Sequence, residues 1–227
     1  MGNISSKSEA KKSYVVFFDL DDTLLNVNSG KVLVGEAYRR RLMRKRDLLL
    51  GIYLSILYKL NLAHSTKVII KMAYWLKGVK EDKIMNLSEV ICDKFLFEEI
   101  SRSMIKEVEI HREQNARLVL LSAALPYICV PIAKFLRLDD VICSLLQVEE
   151  GKFTGLPKGR LVFGAEKKVR IEAYCQHYGL ALEQAFCYAD SFSDLPVLEI
   201  VGNAVCVRPD RRLGRIARKR GWRVMNG

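Results

Sequence analysis

Residues 14–23 read Tyr-Val-Val-Phe-Phe-Asp-Leu-Asp-Asp-Thr. Five β-favouring apolar or aromatic residues run without alternation into a cluster of carboxylates. A strand with one wet face alternates, whereas a strand buried on both faces, as in a parallel sheet, does not. The same sign recurs downstream. Arg117-Leu-Val-Leu-Leu121 ends at Ser122, and Ala185-Phe-Cys-Tyr-Ala189 ends at Asp190. Asn203-Ala-Val-Cys-Val207 is a further strand candidate, with shorter ones at 141–144 and 222–225. Helical stretches at about 127–137, 166–179, 193–201 and 210–220 separate these runs.

Buried strands alternating with helices imply a doubly wound sheet with helices on both faces. Residues 31 to about 115 differ, with helical periodicity almost throughout and no strand alternation. The expected fold is therefore α/β: a three-layer α/β/α, Rossmann-like core with a mainly parallel sheet over residues 1–28 and 116–227. An inserted α-helical cap occupies 29–115. Within the cap, Ser65 reads as an N-cap and Gly78 as a stop.

Half of the 227 residues are apolar, which excludes a globally disordered chain. Lysine and arginine number 37 against 26 acidic residues, a net charge of +11. That balance points to an anionic partner: a phosphorylated small molecule, nucleic acid or an acidic membrane surface. The six cysteines (Cys92, Cys129, Cys143, Cys175, Cys187, Cys206) show no Cys-x2-Cys spacing and read as buried thiols of a reducing compartment. The first residues carry no apolar run and do not form a secretory signal. Gly2 with Ser6 fits the short acylation pattern, although a polar tail is the simpler reading. Leu48–Tyr58 and Val68–Leu76 are too short to span a bilayer, which takes about 20 apolar residues. The expected location is cytoplasmic, with the inner face of a membrane as a peripheral site.

Ligands of open α/β sheets bind beyond the carboxyl ends of the strands. Three polar groups fall there: Asp19-Leu-Asp-Asp-Thr23, Ser122, and Asp190-Ser-Phe-Ser-Asp194. Lys167 or Lys168 opens the helix before the third. Asp19, Asp21, Asp190 and Asp194 would converge, and carboxylates so close do not all stay ionised without a cation. Hard oxygen donors with no His or Cys among them favour Mg2+, which completes its shell with water and phosphate oxygens. A lysine and a serine hydroxyl add charge and hydrogen bonds for the same phosphate. A carboxylate can attack phosphorus to form an aspartyl-phosphate, and a carboxyl two residues along can protonate the leaving oxygen and then activate water. A turn or helix cap is the bland reading of Asp-x-Asp. It leaves the other signals, in their consistent order, unexplained.

These signals resemble the haloacid dehalogenase (HAD) superfamily, and within it subfamily IB, the phosphoserine-phosphatase-like proteins with a helical C1 cap. The resemblance is strongest over Val15–Leu25 and Lys167–Val207, including Tyr188-Ala-Asp-Ser-Phe-Ser-Asp-Leu-Pro196. It implies a Mg2+-dependent phosphomonoester hydrolase with an aspartyl-phosphate intermediate. It makes Asp19 the nucleophile and a metal ligand, and Asp21 the general acid/base that also offers its backbone carbonyl to the metal. Ser122, with Thr23, binds the phosphoryl group; Asp190 is a metal ligand and Asp194 supports it. Counting back from Gly179 favours Lys167 over Lys168 as the basic phosphate ligand. Members acting on phosphoserine carry Glu where this chain has Asn28, and a Gly pair where it has Ala123-Ala124. Both departures weigh against phosphoserine.

Substrate choice is expected in the cap. Its Arg39-Arg40-Arg41-Leu42-Met43-Arg44-Lys45-Arg46 cluster precedes the 48–58 run, a combination suited to an anionic membrane surface. Some relatives with this cap type act on phospholipid head groups, which makes lysophosphatidate or phosphatidylglycerophosphate a second class of substrate. The simpler reading packs the run inside the cap, with Tyr38, Tyr53, Tyr58 and Trp75 in its core and the arginines solvated. A second basic cluster, Arg208 to Arg223, reads as a solvated helix face. It lacks aromatic interleaving, so nucleic acid is the weaker reading. A non-catalytic scaffold for anionic surfaces is the alternative of another class, and it has no need of Asp19, Asp21, Asp190 and the lysine together. His64, His111 and His177 are scattered and carry no expected role.

Overall fold

The computed structural model of the chain describes residues 12–59 and 66–226. Gly2, His64 and Ser65 lie outside the described residues, as does the side chain of Tyr58. Strand β1 (Val15–Phe18) runs into an irregular helical turn at Leu20–Leu24. Helices α1 (Ser29–Arg39), α2 (Lys45–Lys59), α3 (Thr66–Ala73), α4 (Glu81–Ile91) and α5 (Arg102–Glu113) follow. Next come β2 (Arg117–Ser122), α6 (Pro126–Phe135), β3 (Asp140–Cys143), β4 (Leu146–Glu149), β5 (Lys152–Pro157) and α7 (Ala165–Tyr178). The chain continues through β6 (Phe186–Ala189), α8 (Leu195–Leu198), β7 (Asn203–Val207), α9 (Arg211–Arg220) and β8 (Arg223–Met225).

Six strands form one sheet in the order β3-β2-β1-β6-β7-β8, and all its pairings are parallel. This is the expected Rossmann-like α/β fold. The missing alternation in β1 has its cause here: Val15 to Phe18 are all fully buried. Val16 and Phe18 join Leu118, Leu120, Met104, Val108 and Ile128 on one face. Val15 and Phe17 join Val119, Leu121, Ile171, Val197 and Leu213 on the other. Full burial of a Val or Phe side chain is worth about 1.5–3 kcal/mol, so both faces of β1 contribute to stability.

The chain leaves the sheet near Asn26, whose N–H donates to Glu99 O at 2.8 Å, and Ser101 N donates back to Leu24 O at 2.9 Å. Helices α1 to α4 lie between these crossings, while α5 packs on β2. No helix among the described residues is long and apolar enough to cross a membrane. None of the six cysteines forms a disulfide, and all but Cys143 are buried.

Four features differ from the sequence reading. A hairpin of β4 and β5 was not expected. Its turn is carried by Glu150 and Gly151, both in the left-handed region at φ 48° and 71°. The hairpin grips the helical insertion: Gly78 N donates to Phe153 O (2.8 Å), Phe153 N to Val79 O (3.0 Å) and Glu81 N to Gly151 O (2.9 Å). Leu76, Ile84, Leu146, Phe153 and Leu161 form the apolar cluster beneath.

The helix expected over 193–201 is only Leu195–Leu198. The chain turns early because Gly202 must seat against the backbone of Glu183, where a Cβ would lie 1.8 Å from Glu183 O. Tyr38 and Tyr53 are also corrected, since both are exposed rather than core. On α2, Leu49, Leu50, Ile52, Tyr53 and Ile56 are 48–58% exposed, and among its described side chains only Leu54 is buried. The apolar residues of α2 ring the helix, so no single face can bury them all.

His111 is the fourth. It is buried, with Nδ1 2.7 Å from Tyr14 Oη and Nε2 2.7 Å from Tyr188 Oη. Tyr188 Oη donates to Glu107 at 2.6 Å, and Arg223 pairs with the same carboxylate. Burial holds the imidazole below its usual pKa. Tyr188→Phe removes the shared hydroxyl while keeping the ring, leaving buried groups short of a partner. Urea denaturation is expected to show a loss of about 1–3 kcal/mol with the fold retained.

Candidate active site

The parallel sheet delivers its polar groups to one edge. Strand β1 ends at Asp19, whose N–H donates to Tyr188 O at 2.9 Å, locking it beside β6. Strand β6 leads to Asp190 and the turn Phe192–Asp194. Helix α7 starts after Gly164, which takes φ 57°, and presents Lys167 from its first turn. Lys167 Nζ lies 2.6 Å from Asp19 Oδ1 and 2.7 Å from Asp194 Oδ1, all three side chains being buried. Lys168 points elsewhere and lies 3.9 Å from Glu172 on the helix surface. Lys167 is therefore the lysine that reaches the carboxylates.

Oxygens of Asp19, Asp190 and Asp194 lie within 4.8 Å of one another. The carboxylate of Asp21 is not in that group. Its Oδ1 accepts from Ser29 N at 2.7 Å, at the start of α1. Thr23 is fully buried, with Oγ1 3.5 Å from Asp190 Oδ1. Ser122 closes β2, and its Oγ accepts from Ala124 N at 3.1 Å. Arg208, read from sequence with the solvated basic cluster, instead reaches the loop after β1, and Asp210, given no role there, reaches the loop after β6. Asp210 had a sequence signal as an N-cap before α9, because an aspartate ahead of a helical run fills that place. Arg208 had none, being one arginine among several.

Burial dominates the electrostatics. It raises Asp19 to about 7, against the pull of Lys167 and with a further push from Asp194. It raises Asp190 to about 8, helped by the charges of Asp19 and Asp194. Asp21 is also raised, chiefly by burial. Burial alone would lower Lys167, but Asp19 and Asp194 outweigh it and hold the ammonium charged. One ammonium cannot neutralise three carboxylates. The donor set, all hard oxygen with no His or Cys, fits a divalent cation of the Mg2+ type.

The family model for haloacid dehalogenase-like hydrolases matches residues 16–199. A Mycobacterium tuberculosis protein named phosphoserine phosphatase SerB1 is 26% identical over 212 residues, covering 92% of this chain and 69% of that one. A histidinol-phosphatase from Neisseria meningitidis is 23% identical over 228 residues, covering 93% and 98%. A crystal structure of a Bordetella pertussis protein of unknown function superposes with a TM-score of 0.86 at 23% identity, covering 95% of this chain and 99% of that one. A substrate-bound phosphoserine phosphatase complex superposes at 0.73 with 16% identity, covering 96% and 95%. Structural likeness at these identities establishes a shared fold.

The raised carboxylates set a pH dependence. Both folded values lie above the ordinary 3.8, so the folded protein holds these protons more tightly than the unfolded chain. Stability without metal therefore falls as pH rises from about 4 through 8. A divalent cation favours the ionised form and offsets that loss. Thermal melts should show a larger Tm increase from millimolar MgCl2 at about pH 8 than at about pH 5. Equal increases would count against a cation at these three carboxylates.

Proposed function

Because the chain belongs to the haloacid dehalogenase-like hydrolase family, we propose that it is a Mg2+-dependent phosphatase that hydrolyses phosphomonoesters through an aspartyl-phosphate. The observation that carries this reading is Lys167, buried between Asp19 and Asp194 at the carboxyl edge of the sheet, with Asp190 alongside. Ser122, Thr23 and Lys167 bind the phosphoryl group. A carboxylate oxygen of Asp19 attacks phosphorus, and the bond to the leaving alcohol breaks. Asp21, whose raised pKa favours the protonated form, gives its proton to the leaving oxygen. It then takes a proton from the water that cleaves the aspartyl-phosphate, releasing inorganic phosphate and restoring Asp19. Asp19, Asp190 and the backbone carbonyl of Asp21 would hold Mg2+, with Asp194 in support, and the ion would neutralise charge on the phosphate.

The substrate class is a small phosphorylated metabolite, with the helical insertion over 29–115 as the cap that closes over it. Asn28 caps α1, its Oδ1 accepting from Lys31 N at 3.1 Å. The place where phosphoserine-specific enzymes carry Glu thus offers no carboxylate for an amino group, and phosphoserine is disfavoured.

A second reading rests on α2. Its exposed Leu49, Leu50, Ile52, Tyr53 and Ile56 adjoin exposed Arg39, Arg40, Arg41, Arg44, Lys45 and Arg46. That pairing suits an anionic bilayer surface and a lipid phosphate as substrate.

Phosphate release with Mg2+ from an aryl phosphate, phosphoserine, lysophosphatidate and phosphatidylglycerophosphate tests both readings. Asp19→Asn is expected to lower turnover by roughly 10³-fold or more, and chelator to abolish it. Turnover unaffected by Asp19→Asn would sink the mechanism. Sedimentation with phosphatidylglycerol vesicles tests the second reading. Binding that is lost in a Leu49→Ser, Ile52→Ser, Tyr53→Ser triple variant supports it, and a protein that stays in the supernatant at low salt rejects it.

A further inference from the structure

We propose that Arg208 is a positioning residue for this hydrolysis, fastening the loop that carries Asp19 and Asp21 to the β7 terminus that also holds the Asp190–Asp194 loop. The proposal rests on the phosphatase reading above. Arg208 Nη2 donates to the backbone carbonyls of Asp22 (3.0 Å), Thr23 (3.1 Å) and Leu25 (3.1 Å). Its Nη1 donates to Asn26 Oδ1. One planar fork thus gathers four acceptors from the turn that follows the nucleophile. The backbone of Arg208 is anchored in turn, its N–H donating to Met225 O at 2.8 Å.

Two residues on, Asp210 serves the other loop. Its N–H donates to Asp190 O at 2.8 Å, and its Oδ2 accepts from Phe192 N at 2.7 Å. Its Oδ1 accepts from Arg212 N and Leu213 N, both at 2.8 Å, fixing it to the start of α9. The segment Arg208-Pro209-Asp210 is therefore a short bridge between the two halves of the site. Proline at its centre restricts φ and stiffens it.

The backbone carries a second sign. Asp22 has φ 57° and Arg208 has φ 43°, both in the left-handed region, and neither is glycine. Such conformations persist where the surroundings over-determine them, and they cluster where geometry serves function. Here each strained residue is one end of the same hydrogen bond. Lysine cannot replace this arrangement, because its ammonium lacks the rigid fork that meets several acceptors in one plane. Arg208 touches the loop's carbonyls and acts through the loop. A displacement of about 1 Å at a reacting group can cost on the order of 10²-fold in rate.

The test compares Arg208→Ala and Arg208→Lys with Arg211→Ala, an exposed arginine three residues on at the start of α9. For each, kcat and KM are measured on an aryl phosphate with Mg2+, together with Tm and amide hydrogen exchange. Arg208→Ala is expected to lower kcat by about 10–100-fold with KM nearly unchanged. Exchange over residues 20–26 should rise by about 10-fold or more, while the rest of the sheet stays protected. About 10 mM guanidinium should restore part of the lost kcat in Arg208→Ala and none in wild type, and Arg208→Lys should stay impaired. Arg211→Ala should match wild type throughout. Exchange over 20–26 and kcat both within about twofold of wild type would overturn the proposal. So would a loss of kcat that comes with a general fall in protection and no guanidinium rescue, since that is a merely structural role. If wild type itself turns over no phosphate ester, the phosphatase reading fails. The exchange comparison then still decides whether Arg208 holds the loop.

Discussion

The ammonium of Lys167 sits between Asp19 and Asp194 in a place where neither sign of charge could stand alone. Burial would strip the proton from an isolated lysine and leave isolated carboxylates protonated. The paired carboxylates hold the ammonium charged, and removing either partner strands the other, at a cost of about 3–5 kcal/mol for a buried pair. The three groups come from different parts of the chain: the end of β1, the first turn of α7 and the turn after β6. Their meeting requires β1 and β6 to be neighbours in register and α7 to start at the right height over the sheet. The parallel arrangement meets both demands, because every strand points its carboxyl end to the same edge.

The remainder of the molecule is organised around keeping that edge in place. The two faces of β1 are sealed by separate apolar clusters, so the strand can neither rotate nor slip without exposing large side chains. On one face, His111, Tyr188, Glu107 and Arg223 are joined through charged and neutral hydrogen bonds, and the network ends two residues short of Asp190. On the side of the helical insertion, the β4–β5 hairpin supplies main-chain bonds to Gly78, Val79 and Glu81. Main-chain bonds thus tie the insertion to the core at the crossings near Asn26 and Glu99 and at this hairpin. On helix α2, Leu54 is buried while Leu49, Leu50, Ile52, Tyr53 and Ile56 stay exposed to solvent.

Much of this was legible in the amino-acid order, for local reasons. An apolar run without alternation specifies a strand with two dry faces, and carboxylates at its end specify which edge is polar. Those signals need no knowledge of distant residues, so the sheet and the convergence of Asp19, Asp190 and Lys167 could be anticipated. The hairpin could not, because its strands are short and of mixed polarity, with Gly155 interrupting the second. His111 carried no sign of burial, since its partners Tyr14 and Tyr188 lie 97 and 77 residues away. Tyr53 was misread because an apolar run does not say whether it has a partner surface. Arg208 was hidden among arginines that face solvent, and only its tertiary acceptors distinguish it.

The strand order has a consequence during synthesis. Val15 pairs with Arg117, but on its other side β1 waits for Phe186, to which Val16 is joined. While residues between Ser122 and Phe186 are being made, at about 5–20 per second, the most apolar strand of the molecule has an open edge. Open edges of such strands pair readily with other chains. A nascent chain halted in this interval therefore holds Val15, Val16, Phe17 and Phe18 as a template for its neighbours on the same message. For this fold a stalled ribosome is a hazard of aggregation as well as a loss of one molecule, and β6 acts as the seal on β1.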